Sequence, residues 1–144
     1  MTQWFPETVG HELAKEALRI GIESGRLTGS LLLCGPSGTG RSLLARQIAQ
    51  AVNCSQSDTK VVPCGSCRTC RMIRNGSCGD YGVVAPKDKP SIGIDQIRDL
   101  LDELALAPVE CQRRVFVIGP AGALREDAQN ALLKALEEPP AGTL

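Results

Sequence analysis

Two stretches of the chain hold residue types at spacings that can do chemistry. The first is Gly35-Pro36-Ser37-Gly38-Thr39-Gly40-Arg41-Ser42, set between Leu31-Leu32-Leu33-Cys34 and Leu43-Leu44-Ala45-Arg46-Gln47-Ile48-Ala49. Strand, glycine-rich loop, helix is the context a phosphate-binding loop requires. Glycines let backbone N–H groups turn inward around an anion, and the following helix presents the positive end of its dipole. Ser42 stands where a hydroxyl reaches Mg²⁺. The position such loops fill with lysine is Arg41. Lysine serves there as a compact point charge on the β- and γ-phosphates, whereas the arginine fork is planar, longer and wider. The expectation is a loop that holds ATP or ADP weakly or not at all and does not position it for phosphoryl transfer. A strand-to-helix turn without ligand is the plainer alternative.

The second stretch is Cys64-Gly65-Ser66-Cys67-Arg68-Thr69-Cys70, two overlapping CxxC pairs, with Cys54 upstream. Four thiolates, three of them spaced by two residues, can close a tetrahedral metal site, and Gly65 and Ser66 permit the tight knuckle around it. No ligand position is left open and no carboxylate sits nearby, so the chemistry points to structural Zn²⁺ on Cys54, Cys64, Cys67 and Cys70. A redox CxxC pair and an iron–sulfur cluster are the rivals. Cys78 is the alternative to Cys54 as fourth ligand. Cys34 reads as a buried strand residue and Cys111 as an ordinary residue ahead of a strand.

Nucleotide hydrolysis needs a further part, a carboxylate at the end of a later strand to hold Mg²⁺ and polarise water. The run Val115-Phe116-Val117-Ile118 is its natural place, but Gly119-Pro120 follows and no acid appears until Glu126. Asp80 or Asp95 is the alternative source of that acid. The lone His11 reads as a surface or capping residue. Arg113, Arg114 and the lysines between Pro86 and Pro90 read as solvated edges.

These groups must be positioned by the elements around them. Helical spacing of apolar residues covers 11–24, 94–106 and 125–138, and the helix after the glycine loop runs to about residue 52. In the last of these, Ala128, Leu132, Leu133 and Leu136 are expected to face inward. Short continuous apolar runs at 30–34, 81–85 and 114–118 read as strands, the first buried on both faces. Residues 1–9 read as an irregular leader whose Trp4 and Phe5 pack on the body. Residues 53–79 are polar and hold five of the seven cysteines, with weak helical character at 69–75. Strands alternating with helices predict an α/β parallel sheet with right-handed crossovers.

A chain of 144 residues has room for one domain with a real core. With 16 basic and 16 acidic residues the formal net charge is zero, which argues against a strongly basic DNA-binding domain. No apolar run approaches the roughly 20 residues that span a bilayer. Without a signal-peptide pattern, the expectation is a cytoplasmic protein with no membrane partner. In that reducing compartment, seven cysteines favour metal over disulfides.

The order of these motifs resembles one known family. Glycine loop, Cys…CxxCxxC insertion, Ser91-Ile92-Gly93-Ile94-Asp95-Gln96-Ile97-Arg98, then Asn130-Ala131-Leu132-Leu133-Lys134-Ala135-Leu136-Glu137-Glu138-Pro139-Pro140 resemble the N-terminal AAA+ module of bacterial DNA polymerase III clamp-loader subunits, the gamma/tau and delta-prime group. The resemblance implies a P-loop NTPase (AAA+) parallel sheet with flanking helices, occupying 1–144, with a small Cys₄ zinc insertion at about 53–79. Motor subunits of that group carry the loop lysine and an acidic strand end. Arg41 and Gly119-Pro120 replace both here, which looks like delta-prime.

The resemblance therefore implies a non-motor component of the DNA polymerase III holoenzyme without ATPase activity of its own. Its partners would be the gamma/tau and delta subunits, and indirectly the sliding clamp and primed DNA. A family Ser-Arg-Cys motif that supplies an arginine finger would lie beyond residue 144. Two other readings stand beside it: an active gamma/tau-like ATPase motor, and a zinc-dependent interaction module with a vestigial phosphate loop. The family sheet has strand order 5-1-4-3-2, and the sequence reaches strands one to three. Strands four and five are expected to be missing and the first strand to have unpaired edges, as in a fragment or a segment-swapping chain.

Overall fold

A computed structural model describes residues 1–56 and 60–144. The element order is β1 (Gln3–Trp4), α1 (Glu12–Glu23), α2 (Arg41–Asn53), β2 (Val61–Val62), α3 (Arg68–Asn75), β3 (Tyr81–Val84), α4 (Ile94–Leu104), β4 (Val115–Ile118), a 3₁₀ turn at Ala121–Ala123, and α5 (Glu126–Glu137). Among the described residues this is an α/β domain of five α-helices and short parallel strands. The central pair is β3 with β4, in register from Tyr81↔Val115 to Val84↔Ile118. Beyond its ends, isolated parallel bridges join Ile92 to Leu124 and Arg114 to Thr143.

The helices follow their apolar stripes. On α4 the residues that reach the interior are Ile97 and Leu100, and on α5 they are Ala128 and Leu132. With Ile92 they form one core cluster against the face of β3 and β4. A second cluster gathers Phe5, Leu18, Leu44, Ile48, Ala51 and Val62 between α1 and α2. A third joins Ala49 of α2, Ile73 of α3, Cys78 and Val115. Thus α2 is the shared wall: Leu44, Ile48 and Ala51 face one cluster and Ala49 faces another.

The leader is more ordered than its composition suggests. Phe5 is completely buried, and Gln3–Trp4 pairs in parallel with Val61–Val62 inside the cysteine-rich stretch. Residues 57–59 of that stretch lie outside the described residues. The weak helical signal at 69–75 becomes α3, capped at its start by Cys67.

The strand expected at 30–34 does not form. Leu31 and Leu32 are exposed by 42% and 76%, and Cys34 is exposed rather than buried. An extended segment becomes a strand only when a neighbour takes up its N–H and C=O groups, and no strand among those described pairs with it. Its leucines instead form one wall of an apolar groove of about 230 Å³, opposite Phe116, Ile118 and Leu136. Leu133 and Leu136, expected to face inward, are 51% and 45% exposed, Leu136 because it lines the open groove. The last strand, β4, has a further neighbour on its other side. The 142–144 segment runs along β4, with Arg114 N–H donating to Gly142 O, Leu144 N–H to Arg114 O and Phe116 N–H to Leu144 O.

Candidate metal centre and glycine loop

The cysteine cluster is built by three elements meeting. Cys54 follows the last residue of α2, Cys64 and Cys67 lie in the turn before α3, and Cys70 sits in its first turn. The four sulfur atoms all lie within 4.8 Å of one another. The spacing explains the convergence. Backbone N–H groups of Cys67 and Cys70 donate to the sulfurs three residues earlier, Cys64 Sγ at 3.3 Å and Cys67 Sγ at 3.4 Å. Such N–H···S bonds aim two sulfurs inward and favour their charged form.

The thiols respond unequally. At Cys67 burial opposes charge, but hydrogen bonds from the Cys70 and Ser55 backbones and the Ser55 hydroxyl outweigh it, and the thiol falls to about 6. Cys64 is lowered in the same way, against burial, by the Cys67 backbone and the Ser66 hydroxyl. Burial raises the Cys54 and Cys70 thiols above their ordinary value. A tetrahedral thiolate cage with bonds of about 2.3 Å has sulfur–sulfur edges of about 3.8 Å. Four sulfurs already within 4.8 Å need only a small contraction to hold a metal ion. Gln50, which the cysteine spacing could not reveal, braces the site by donating from Nε2 to the Cys70 carbonyl at 2.8 Å.

Cys78 is not in this group. It is buried three residues past the end of α3, where its sulfur lies 3.2 Å from that of Cys111.

The glycine loop is exposed from residue 35 to 38 and half-buried at Thr39, Gly40 and Arg41, with Ser42 exposed. It is a real strand-free turn into a helix. Gly40 occupies the N-cap of α2 with φ 83°, a left-handed conformation that side chains rarely tolerate. The loop bends on itself through the Thr39 hydroxyl, which donates to Pro36 O at 2.8 Å. His11 is an exposed residue at the N-cap position of α1, as expected of a surface residue, but its side chain makes no capping hydrogen bond. Its Nε2 lies 3.1 Å from the Thr39 carbonyl, so the imidazole pins the loop from outside.

The acidic candidates part company. Asp80 is buried, and its carboxylate accepts from the backbone N–H groups of Val109, Glu110 and Cys111 and from Nε and Nη2 of Arg114. Both oxygens are thereby committed, and the group is a structural anion. Asp95 is exposed and pairs with Arg98 at 3.6 Å. Arg114, expected at a solvated edge, is instead 5% exposed, because Asp80 recruits it inward and it also donates to the Glu103 and Ala107 carbonyls. At the end of β4, Gly119 donates its N–H to Val84 O and the chain turns into the 3₁₀ segment without an acidic side chain.

A protein family described as DNA polymerase III, delta subunit, matches residues 10–144. DNA polymerase III subunit gamma/tau of Mycobacterium tuberculosis (strain H37Rv) is 36% identical over 136 residues, covering 94% of this chain and 23% of that protein. The tau subunits of Bacillus subtilis and Escherichia coli K12 are each 36% identical over 138 residues, 96% of this chain and 24% and 21% of theirs. The chain thus spans about a quarter or less of these relatives' length. A solved DNA polymerase III gamma subunit-related protein of Thermotoga maritima has a similar fold, with TM-score 0.55 at 22% identity over 88% of this chain and 36% of that one. Among the described residues no helix is long and apolar enough to cross a membrane.

Proposed function

The chain belongs to the DNA polymerase III, delta subunit family, and from that premise we propose that it is the non-motor, delta-prime-like AAA+ module of a bacterial clamp loader. The observation that carries this reading is a double departure from a nucleotide-hydrolysing site. Arg41 stands at the loop position of the phosphate-gripping lysine, and Gly119-Pro120 stands where a catalytic carboxylate would end β4. Either change alone weakens the site; together they remove both the grip on the γ-phosphate and the acid that holds Mg²⁺. Residues 35–42 then persist as a fold element that holds an anion weakly, and residues 1–144 act as one AAA+ module through the gamma/tau and delta subunits in the cytoplasm. The clamp and primed DNA are reached through those partners.

The relatives' names, gamma/tau and tau, favour a second reading, an ATPase motor of the same assembly. Purified chain incubated with labelled ATP separates the two. The stator reading expects no turnover above background; turnover that disappears in Arg41→Ala overturns it.

We assign structural Zn²⁺ to Cys54, Cys64, Cys67 and Cys70, in an insertion spanning about 53–79. The support is the donor set: four thiols within 4.8 Å, two of them already accepting backbone N–H groups. Bound there, zinc supplies folding free energy by fixing α2, the 61–67 turn and α3 to one another. Elemental analysis in reducing buffer is expected to give close to one zinc per chain, and Cys67→Ser to lose both the metal and thermal stability. Full retention of zinc in Cys67→Ser would count against the assignment.

A further inference from the structure

We propose that Cys78 and Cys111 form a reversible disulfide, a covalent latch separate from the four-cysteine site. The two residues are 33 apart in sequence, yet their sulfurs lie 3.2 Å apart, with no other cysteine sharing the contact. A disulfide needs about 2.05 Å, so the pair closes by small side-chain rotations.

Their placement gives the bond a mechanical consequence. Cys78 precedes β3 and packs with Ala49, Ile73 and Val115. Cys111 lies in the 105–114 loop that wraps the Asp80 carboxylate and then enters β4. A bond between them ties the segment after α3 to the entry of β4, reinforcing the noncovalent Asp80 bonds, the Glu110 contact to Gly79 N and the apolar packing of Ile73, Cys78 and Val115.

The chemistry balances with a disulfide oxidant of the oxidised-glutathione class. Cys111, the more accessible thiol, loses its proton and attacks one glutathione sulfur, which breaks that S–S bond and releases a glutathione thiolate. Cys78 then loses its proton and attacks Cys111 Sγ, forming the internal bond and releasing the second thiolate. Two protons and two electrons leave the protein, and two molecules of glutathione carry them. Burial, together with the adjoining Cys78, Asp80 and Glu110, pushes the Cys111 thiol up to about 12. Little thiolate is present at neutral pH, so the exchange is slow. In a reducing compartment the pair rests as thiols and closes under sustained oxidation.

The test uses the full zinc-loaded chain, held for hours in oxidised glutathione, alkylated, and mapped by mass spectrometry. The expected product is two hydrogens lighter, contains a peptide pair joining Cys78 to Cys111, retains its zinc, and has a raised thermal midpoint that dithiothreitol reverses. Cys111→Ser, at a half-buried position, is expected to abolish the linked pair without loss of zinc. The mapping of the unmutated chain stands even if Cys111→Ser misfolds. Free thiols at both positions, a glutathione adduct that persists on Cys111, or a linkage drawn from Cys54, Cys64, Cys67 or Cys70 in their place overturns the proposal.

Discussion

At the scale of single residues, the most consequential feature is a pair that no motif announces. Asp80 and Arg114 are separated by 34 positions and meet at 2.9 Å with side chains 1% and 6% exposed. Removing one partner of a buried ion pair costs about 3–5 kcal/mol, because the other charge stays buried and uncompensated. Asp80→Asn is expected to destabilise by that order, measured as a lower urea midpoint at pH 7. The pH dependence has a definite sign. Burial works against the Asp80 charge, but the Glu110, Cys111 and Val109 amides and the Arg114 guanidinium outweigh it and hold its carboxyl below the ordinary range. A depressed folded value means that the stabilisation is complete above the unfolded value of about 3.9 and is lost as pH falls through the folded one. Between pH 7 and 5 the difference between Asp80→Asn and the unmutated chain should therefore stay constant, and it should shrink only in the acid limb. A difference that narrows already between pH 7 and 5 contradicts the assignment.

At the scale of elements, helices were legible in the sequence and paired strands only where both partners carry a signal. The stripes Ile94, Ile97, Leu100, Leu101 and Ala128, Leu132 locate α4 and α5 because helical hydrogen bonds are local and the interior selects one face. The CxxCxxC spacing likewise brings its sulfurs together through hydrogen bonds three residues long. Residues 30–34 have as apolar a sequence as β4 and form no strand, since a ladder depends on a neighbour that local sequence does not encode. His11 against Thr39, Gln50 against Cys70 and Cys78 against Cys111 were invisible for the same reason: each contact spans 20 residues or more. The β3–β4 ladder itself contains a sharp test. A methyl group added at Gly82 would meet Phe116 Cε1 at 2.6 Å and Cδ1 at 2.7 Å, while one at Gly79, three residues earlier, meets nothing within 4 Å. Gly82→Ala must displace the Phe116 ring from the core face of β4 and is expected to cost about 1–3 kcal/mol, the usual range for overpacking. Gly79→Ala serves as the matched control with little effect in the same denaturation experiment.

At the scale of the whole molecule, the apolar surface is unevenly distributed. Three clusters are well closed, but the groove between residues 30–32 and β4 leaves Leu31, Leu32 and Leu136 in contact with water beside Phe116 and Ile118. An apolar surface of this kind, contiguous rather than scattered, is unusual on a closed domain and attracts apolar partners of any sort. A solvatochromic dye such as anilinonaphthalene sulfonate is then expected to bind the folded chain and fluoresce under conditions where the fold is intact. The double variant Leu32→Ser, Leu136→Ser polarises both walls of the groove. Because the two leucines are already 76% and 45% exposed, it should dim the dye while leaving the urea midpoint close to that of the unmutated chain. The pairing of the two readouts separates the groove from general loosening, since a partly unfolded chain would bind more dye and lose stability together. Undiminished fluorescence in the double variant would place the dye elsewhere and remove the groove as the main apolar surface.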